Sequence, residues 1–256
     1  MPFTASVSTR GQLWTGKFLS FVRPDKKIPM ARILRFTSGP ADWQALLADP
    51  TKHWRTGYSA RTLAHSWEAA EGFPPEVVLA MAKSADPLLA GLAPVLAVPE
   101  FKVPLPGGER ASQNDIFVLA RSTAGPVSIM IEGKVNESFG PTLEDWLMDI
   151  SPGKKTRLSF LLRTLGLPKQ ISGAVRYQLL HRTASALIEG ERYRAAAAVL
   201  LVHSFSAKQA GWGDYRAFLS LFGVSAEVGQ PQRLPGDRPM PLFAVWVPGD
   251  PQFLES

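Results

Sequence analysis

The sequence contains no cysteine. This excludes disulfides, thiolate metal sites and cysteine nucleophiles, and it is typical of a protein that works in a reducing compartment. The longest apolar run, AAAAVLLV at 195–202, is far shorter than the roughly 18–20 residues of a membrane helix and suits a buried strand. The segment FLSFV near the N-terminus is too short for an export signal. We therefore predict a cytoplasmic protein that does not act in a membrane.

Several motifs of cofactor binding and catalysis are also missing. The sequence has no P-loop pattern, no G-x-S-x-G nucleophile turn and no H-E-x-x-H zinc motif. The four histidines are far apart in the sequence, and without cysteine they do not form a recognisable zinc pattern. The acidic residues therefore remain as the candidates for chemistry.

The net charge of +6 is concentrated near the N-terminus, because residues 1–29 hold five basic residues and one acidic residue. Basic tails often contact nucleic acid. Met30 opens the segment MARILRF, which resembles a natural start, so residues 1–29 are either a loose extension or lie ahead of the true start. We predict a basic, disordered extension over 1–29 and a single domain over 30–256.

The spacing of apolar residues predicts a mixed α/β domain in which helices flank a mixed central sheet. Its core elements are a helix over 59–70, strands over 94–103, 115–121 and 127–135, a helix over 172–189 and a strand over 196–204. Further helices are predicted over 41–47, 76–83, 154–165 and 215–222, and further strands over 33–36 and 242–247. The core order is therefore αβββαβ.

The third of these strands, VSIMIEGKV, ends in two charged residues. Because side chains alternate along a strand, Glu132 and Lys134 lie on one face, with Gly133 between them. We predict that Asp115 begins the preceding strand and that a tight meander brings it beside Glu132. Two carboxylates and the carbonyl of Gly133 make a set of oxygen ligands suited to Mg²⁺. Lys134 can orient a water molecule or offset developing charge.

A plainer interpretation of the triplet stays open. A Glu-x-Lys triplet arises by chance about once in a chain of this length, and such a pair at a strand end can be a surface salt bridge. The order of the neighbouring elements favours a functional site over a surface salt bridge, because an acid lies on the preceding strand and a helix with a polar stripe follows.

Asn114-Asp115, followed by Glu132-Gly133-Lys134 on the next strand, resembles the PD-(D/E)XK nuclease superfamily. That superfamily has a restriction-endonuclease-like core with the αβββαβ order, and the resemblance covers about residues 55–205. Asn114 occupies the position of the proline that gives the motif the first letter of its name. Segments that resemble a group of uncharacterised bacterial proteins in this superfamily are KHWRTGYSAR, SWEAAEGFPPEV, SQNDIFVLAR, EGKV, FGPTLEDW and RYQLLHRTASALIE.

The resemblance implies roles for the matching residues. Asp115 and Glu132 would bind Mg²⁺ or Mn²⁺ with the carbonyl of Gly133, and Lys134 would position or activate the attacking water. Many members carry another acid on the helix before the meander, where Glu68 fits.

The helix after the meander often carries a polar residue that faces the site, and Gln178 fits that place. Arg182 lies one turn later and is predicted to bind phosphate. Lys154 and Lys155 are predicted to contact the nucleic-acid backbone non-specifically.

Three functions follow as hypotheses. The first is a Mg²⁺-dependent nuclease that acts on DNA, or less readily on RNA, as a monomer or homodimer. The second is a catalytically silent relative that binds nucleic acid or a protein partner. The third is a different hydrolase that uses Asp115 and Glu132 as paired acids, as glycosidases do.

Overall fold

The computed structural model describes residues 37–256. The predicted strand over 33–36 and the predicted extension over 1–29 lie outside these described residues. Within residues 37–256, no helix has both the length and the apolar character that a membrane span requires.

The helices and strands that were predicted within residues 37–256 occur in the predicted order. The helices are α1 (Ala41–Gln44), α2 (Pro50–His53), α3 (Ser59–Glu68), α4 (Pro75–Ala82), α5 (Leu143–Leu147), α6 (Pro152–Leu165), α7 (Tyr177–Arg192) and α8 (Trp212–Ser220). The strands are β1 (Ala93–Val103), β2 (Ser112–Ser122), β3 (Gly125–Lys134), β4 (Ala197–Ser204), β5 (Gln232–Leu234) and β6 (Leu242–Pro248). Short 3₁₀ helices lie at Pro87–Leu89 and Pro251–Glu255. Helices α2 and α5 and strand β5 were not predicted.

The strands form one mixed sheet in the order β1-β2-β3-β4-β6-β5. The first three make an antiparallel meander, whereas β4 and β6 continue the sheet parallel to β3. The short strand β5 pairs antiparallel with β6 at the far edge. A mixed α/β class with a central sheet flanked by helices is thus confirmed.

Several element starts differ from the prediction by two or more residues, and two of these differences concern elements that carry predicted site residues. Strand β2 begins at Ser112, three residues before Asp115, because its first residues pair with the end of β1. Helix α7 begins at Tyr177 rather than at residue 172. The residues just before it form a turn and a bend. The carbonyl of Val175 accepts a hydrogen bond from the N–H of Leu143 at 2.7 Å, which ties this segment to the start of α5.

Both faces of the sheet are covered by helices. On one face, apolar residues of β2, β3 and β4 pack with α3 and α4 in a core that includes Leu63, Trp67 and Val77. On the other face α7 packs on β3 and β4, and Ser128 of β3 donates a hydrogen bond to the carbonyl of Ala186 at 2.7 Å. Every residue of β4 is buried, as expected for a central strand covered on both faces. The end of β3 therefore lies between α3 and α7.

Candidate active site

Asp115 and Glu132 come together where β2 and β3 stop pairing. The ladder ends at Ile116 opposite Ile131, so Asp115 and Glu132 are the next residues outward. The Oδ2 atom of Asp115 accepts a hydrogen bond from the N–H of Gly133 at 2.7 Å. The carboxylate thus satisfies a backbone donor that the neighbouring strand no longer pairs. Asp115 is therefore an internal residue of β2 held at the end of the ladder, which corrects the prediction that it begins the strand.

Glu132 lies between two cations. Its Oε1 is 2.7 Å from the ammonium of Lys134, and its Oε2 is 2.6 Å from Nε of Arg182. Glu132, Lys134 and Arg182 are only 2%, 4% and 7% exposed, respectively. A buried carboxylate is costly unless it is paired and hydrogen-bonded, and here both oxygens are. The pair Glu132–Lys134 is therefore not the surface salt bridge of the plainer interpretation.

Arg182 joins the two acids. Besides its contact with Glu132, its Nη2 lies 3.8 Å from Oδ1 of Asp115. Arg182 was predicted to bind a phosphate of the substrate, but its partners in this structure are the carboxylates of Asp115 and Glu132. No local signal predicts this pairing, because Arg182 and Glu132 are 50 residues apart.

The two acids differ in electrostatics. Burial raises the pKa of Asp115 well above its ordinary value, and the nearby Glu132 acts in the same direction. Burial would also raise the pKa of Glu132, but attraction to Arg182 and Lys134 outweighs it and lowers that pKa to about 2. Glu132 is thus the ionised member of the pair, and its negative charge makes ionisation of Asp115 less favourable.

Gln178 and Phe139 help to hold Lys134. The Lys134 ammonium donates to Oε1 of Gln178 at 3.3 Å and lies 4.7 Å from the centre of the Phe139 ring. The predicted placement of Gln178 beside Lys134 thus agrees with the structure. The ammonium reaches three partners from one position, so its orientation is well defined.

These side chains line one cavity of about 460 Å³ at the end of β3. Asp115, Glu132, Lys134, Gln178 and Arg182 all contribute to its wall. Four of them are predicted catalytic residues and the fifth is the predicted phosphate ligand.

The cavity also contains residues that were not among the predicted site residues, although His181 belongs to the predicted polar stripe of its helix. Glu100 of β1 accepts a hydrogen bond from the side-chain amide of Gln113, and burial raises the pKa of Glu100 to about 7. His181 of α7 completes this side of the wall. Glu100 has a left-handed backbone with φ of 49°, which periodicity along a strand does not predict.

Glu137 anchors the chain that leaves β3. Its carboxylate accepts hydrogen bonds from the N–H of Val135 at 3.0 Å and from the N–H of Ser59 at 2.8 Å. The second bond satisfies a free donor in the first turn of α3. The site end of β3 is thus tied directly to the start of α3.

Glu68 lies elsewhere, which corrects its predicted place in this site. Its carboxylate accepts hydrogen bonds from the Trp43 indole at 2.6 Å and the Thr37 hydroxyl at 2.7 Å, and it lines a separate cavity of about 310 Å³. Only the first residues of α3, Ser59 and Ala60, line the site cavity. Nine residues of helix place Glu68 about 13 Å further along the axis.

Lys154 and Lys155 are in the first turn of α6 and do not line the cavity. The Lys154 ammonium lies 5.4 Å from the Trp146 ring centre. Trp146 stacks on Tyr177 with ring centres 4.0 Å apart, and Tyr177 lines the cavity. Lys154 therefore lies outside the cavity and is connected to its rim by the contacts of Trp146 and Tyr177.

Asp115 and Glu132 are the acidic residues predicted to hold a divalent cation at this site, and both line the cavity. Among residues 37–256, no three or more His, Cys, Asp or Glu side chains are arranged to hold a metal ion. The chemistry nevertheless fits, because Asp115 and Glu132 offer hard oxygen donors, and each carboxylate oxygen has a second lone pair beyond its present partner. Gly133 allows α3 to pack closely against this end of β3, since a Cβ there would lie 3.0 Å from Leu63 and 3.5 Å from Oδ2 of Asp115.

The fold and the cavity define a mixed α/β protein with a buried acid–base cluster at the end of its third strand. The chain belongs to the family described as domain of unknown function DUF6946, whose model matches residues 36–251. Neither the curated proteins nor the solved structures contain a match to this chain.

Proposed function

We propose that this protein is a metal-dependent phosphodiester hydrolase that cleaves DNA, and RNA less readily. The observation that carries the proposal is the convergence of Asp115, Glu132, Lys134 and Gln178 on one cavity. They come from two neighbouring strands and the following helix, as the PD-(D/E)XK resemblance implies. The element order α3-β1-β2-β3-α7-β4 supports a restriction-endonuclease-like core.

Mg²⁺ or Mn²⁺ would be held by the carboxylates of Asp115 and Glu132 with the carbonyl of Gly133. Such an ion polarises a phosphate and lowers the pKa of bound water. The raised pKa of Asp115 supports this assignment, because a cation beside crowded carboxylates favours their ionised forms.

Lys134 would position the attacking water. Its ammonium is fixed by Glu132 and Gln178, so a water at this group would be oriented before the substrate binds. A preorganised cation at the reacting centre also stabilises developing negative charge without reorganisation. Gln178 acts through Lys134 as a positioning residue.

The phosphate backbone beyond the cavity would contact Lys154 and Lys155. These residues extend the positive surface past the Trp146–Tyr177 pair. Contacts of this kind add affinity that does not depend on sequence and that weakens with salt.

A cleavage assay tests this proposal. Linear, supercoiled and single-stranded DNA and a structured RNA are incubated with the protein in Mg²⁺, Mn²⁺ or EDTA. We expect metal-dependent cleavage that falls by about 10²-fold or more in Lys134→Ala and Asp115→Asn, because each removes a charge from the reacting centre. Lys83→Ala, an exposed lysine at the end of α4, is the matched control and should behave as the wild type. Undiminished cleavage by both site variants would reject the assignment.

A second candidate function is a catalytically silent protein that binds nucleic acid or a protein partner. It is favoured by one observation, namely that Lys134 and Arg182 already occupy both oxygens of Glu132. This candidate predicts no cleavage of any substrate and no binding of Mn²⁺ by calorimetry.

A further inference from the structure

His181 lines the candidate site but has no part in the roles proposed above. It lies on α7 beside Arg182, and its ring is part of the cavity wall. Its Nδ1 is 2.8 Å from the hydroxyl oxygen of Ser112, and Ser112 is buried. The ring is thus anchored on one nitrogen by the sheet.

The surroundings of Ser112 determine where the imidazole proton lies. Among residues 37–256, the other acceptor near the Ser112 hydroxyl is the carbonyl of His181 at 3.4 Å. That carbonyl already accepts a hydrogen bond from the Ser185 hydroxyl at 2.7 Å. Arg182 donates to the Ser112 oxygen at 3.5 Å, so the oxygen acts as an acceptor on that side. This arrangement favours a hydrogen bond from the Ser112 hydroxyl to Nδ1, which leaves the ring's own proton on Nε2.

The ring is also neutral. Burial lowers the pKa of His181 well below its ordinary value, and Arg182 lowers it further. No residue among 37–256 is hydrogen-bonded to Nε2 of His181, since its hydrogen bond in this part of the chain is made by Nδ1. The cavity therefore contains a neutral N–H group whose orientation is set by Ser112.

We propose that His181 donates a hydrogen bond from Nε2 to a non-bridging oxygen of the phosphate that is cleaved. This inference rests on the proposed phosphodiesterase function. The two cations of the site, Lys134 and Arg182, are both paired with Glu132. The neutral ring of His181 forms no ion pair with these carboxylates, so its N–H group is available to the substrate phosphate. It can stabilise the negative charge that develops on the phosphate oxygens.

The first experiment observes the ring itself. Protein labelled with ¹⁵N-histidine is studied by long-range ¹H–¹⁵N correlation at neutral pH, and His181 is assigned from the signal lost in His181→Gln. We expect the neutral Nε2–H tautomer, and a change in the Nε2 signal that saturates when inorganic phosphate is added with Mg²⁺. Finding the Nδ1–H tautomer or the charged ring, or no response to phosphate, would overturn the inference.

The second experiment compares two substitutions in the cleavage assay. His181→Phe keeps the ring volume and removes the donor, and should lower kcat by about 10²-fold with little change in KM. His181→Gln keeps an N–H donor near Nε2 and should retain most of the activity. His65→Phe on α3, which does not line the cavity, is the control for a histidine exchange. Thermal melting checks that each variant is folded.

The two proposals fail differently. If the wild type cleaves DNA and His181→Phe cleaves it equally well, the donor role is rejected and the nuclease function stands. If no protein cleaves any substrate while the His181 signal still responds to phosphate, the nuclease function is rejected and the anion-binding role of His181 is supported.

Discussion

Two buried acid–base networks lie back to back on this sheet. Gly133, between Glu132 and Lys134, is the ladder partner of His203 on β4. On the α3 side, the indole N–H of Trp67 donates to Nδ1 of His203 at 3.2 Å. Nε2 of the same ring therefore carries the proton and donates to Glu76 at 2.9 Å. This second network is surrounded by aromatic rings, including Phe205 with its ring centre 4.5 Å from that of His203.

The networks differ in what they leave unpaired. The His203 network has one acid and one neutral ring, and both ring nitrogens have protein partners. The network at Glu132 has two acids and two cations, faces a cavity, and lies beside a further donor, His181. Both networks contain buried acid–base pairs, so burial of charge does not distinguish them. The proposed function is assigned to the network at Glu132 because its residues line the site cavity.

The largest effect is expected from Glu132→Gln. It leaves Arg182 and Lys134 buried without an ionised acid, which should abolish cleavage and lower the free energy of unfolding by about 3–5 kcal/mol. Urea denaturation measures the stability. The double variant Glu132→Gln with Arg182→Met removes the stranded guanidinium and should recover part of the loss. An equal loss in the single and double variants would show that the ion pair is not the cause.

A smaller effect is expected from His203→Phe. It leaves the Trp67 indole N–H without its acceptor and should lower the free energy of unfolding by about 1–3 kcal/mol. Cleavage should remain, because His203 does not line the site cavity. A loss of kcat as large as that of His181→Phe, in a variant that is folded, would contradict the division between the two networks.

The pH dependence of stability sharpens the same comparison. Burial lowers the pKa of His203, and Glu76 offsets this only in part. The stability contributed by the neutral ring is therefore fully present above the unfolded pKa of about 6.5 and is lost as pH falls toward the folded pKa. The difference in unfolding free energy between the wild type and His203→Phe should shrink as pH falls from about 7.5 to about 5. A difference that grows over this range would mean that the ring is charged in the folded protein.

The smallest effect is expected from Glu68→Gln, the counterpart of Glu132→Gln. The amide oxygen can still accept from Trp43 or Thr37, so the free energy of unfolding should fall by about 1 kcal/mol or less. The cleavage rate should not change, because Glu68 lies outside the site cavity. A loss of cleavage comparable to that of Glu132→Gln would restore Glu68 to the site.

Local patterns predicted much of the architecture and part of the site. Turn residues and apolar runs located β1, β2 and β3, and alternation along β3 placed Glu132 and Lys134 on one face. Helix α7 was predicted, although its start was wrong by five residues. The turn before it is held by a contact with α5, which no pattern within residues 172–176 reveals.

The missed site residues share one physical cause. Glu100 itself has the left-handed backbone conformation in β1, and this conformation determines where its side chain lies. His181 lies in the cavity wall because the rotation of α7 about its own axis turns this residue toward the site. Glu68 was misplaced because the axis of α3 carries its C-terminal end away from the site. Each depends on how one element packs on another, and hydrophobic periodicity indicates only which face of an element is buried.

By itself, the sequence determined the order of the core helices and strands and the clustering of Asp115, Glu132 and Lys134 on neighbouring strands, because these follow from local periodicity and a short turn. Only the tertiary structure decided that Arg182 neutralises Glu132, that Glu68 is excluded and that His181 lies in the cavity wall beside Ser112. Burial removes water from these groups, so their protonation and pairing depend on which distant side chain lies within hydrogen-bonding distance.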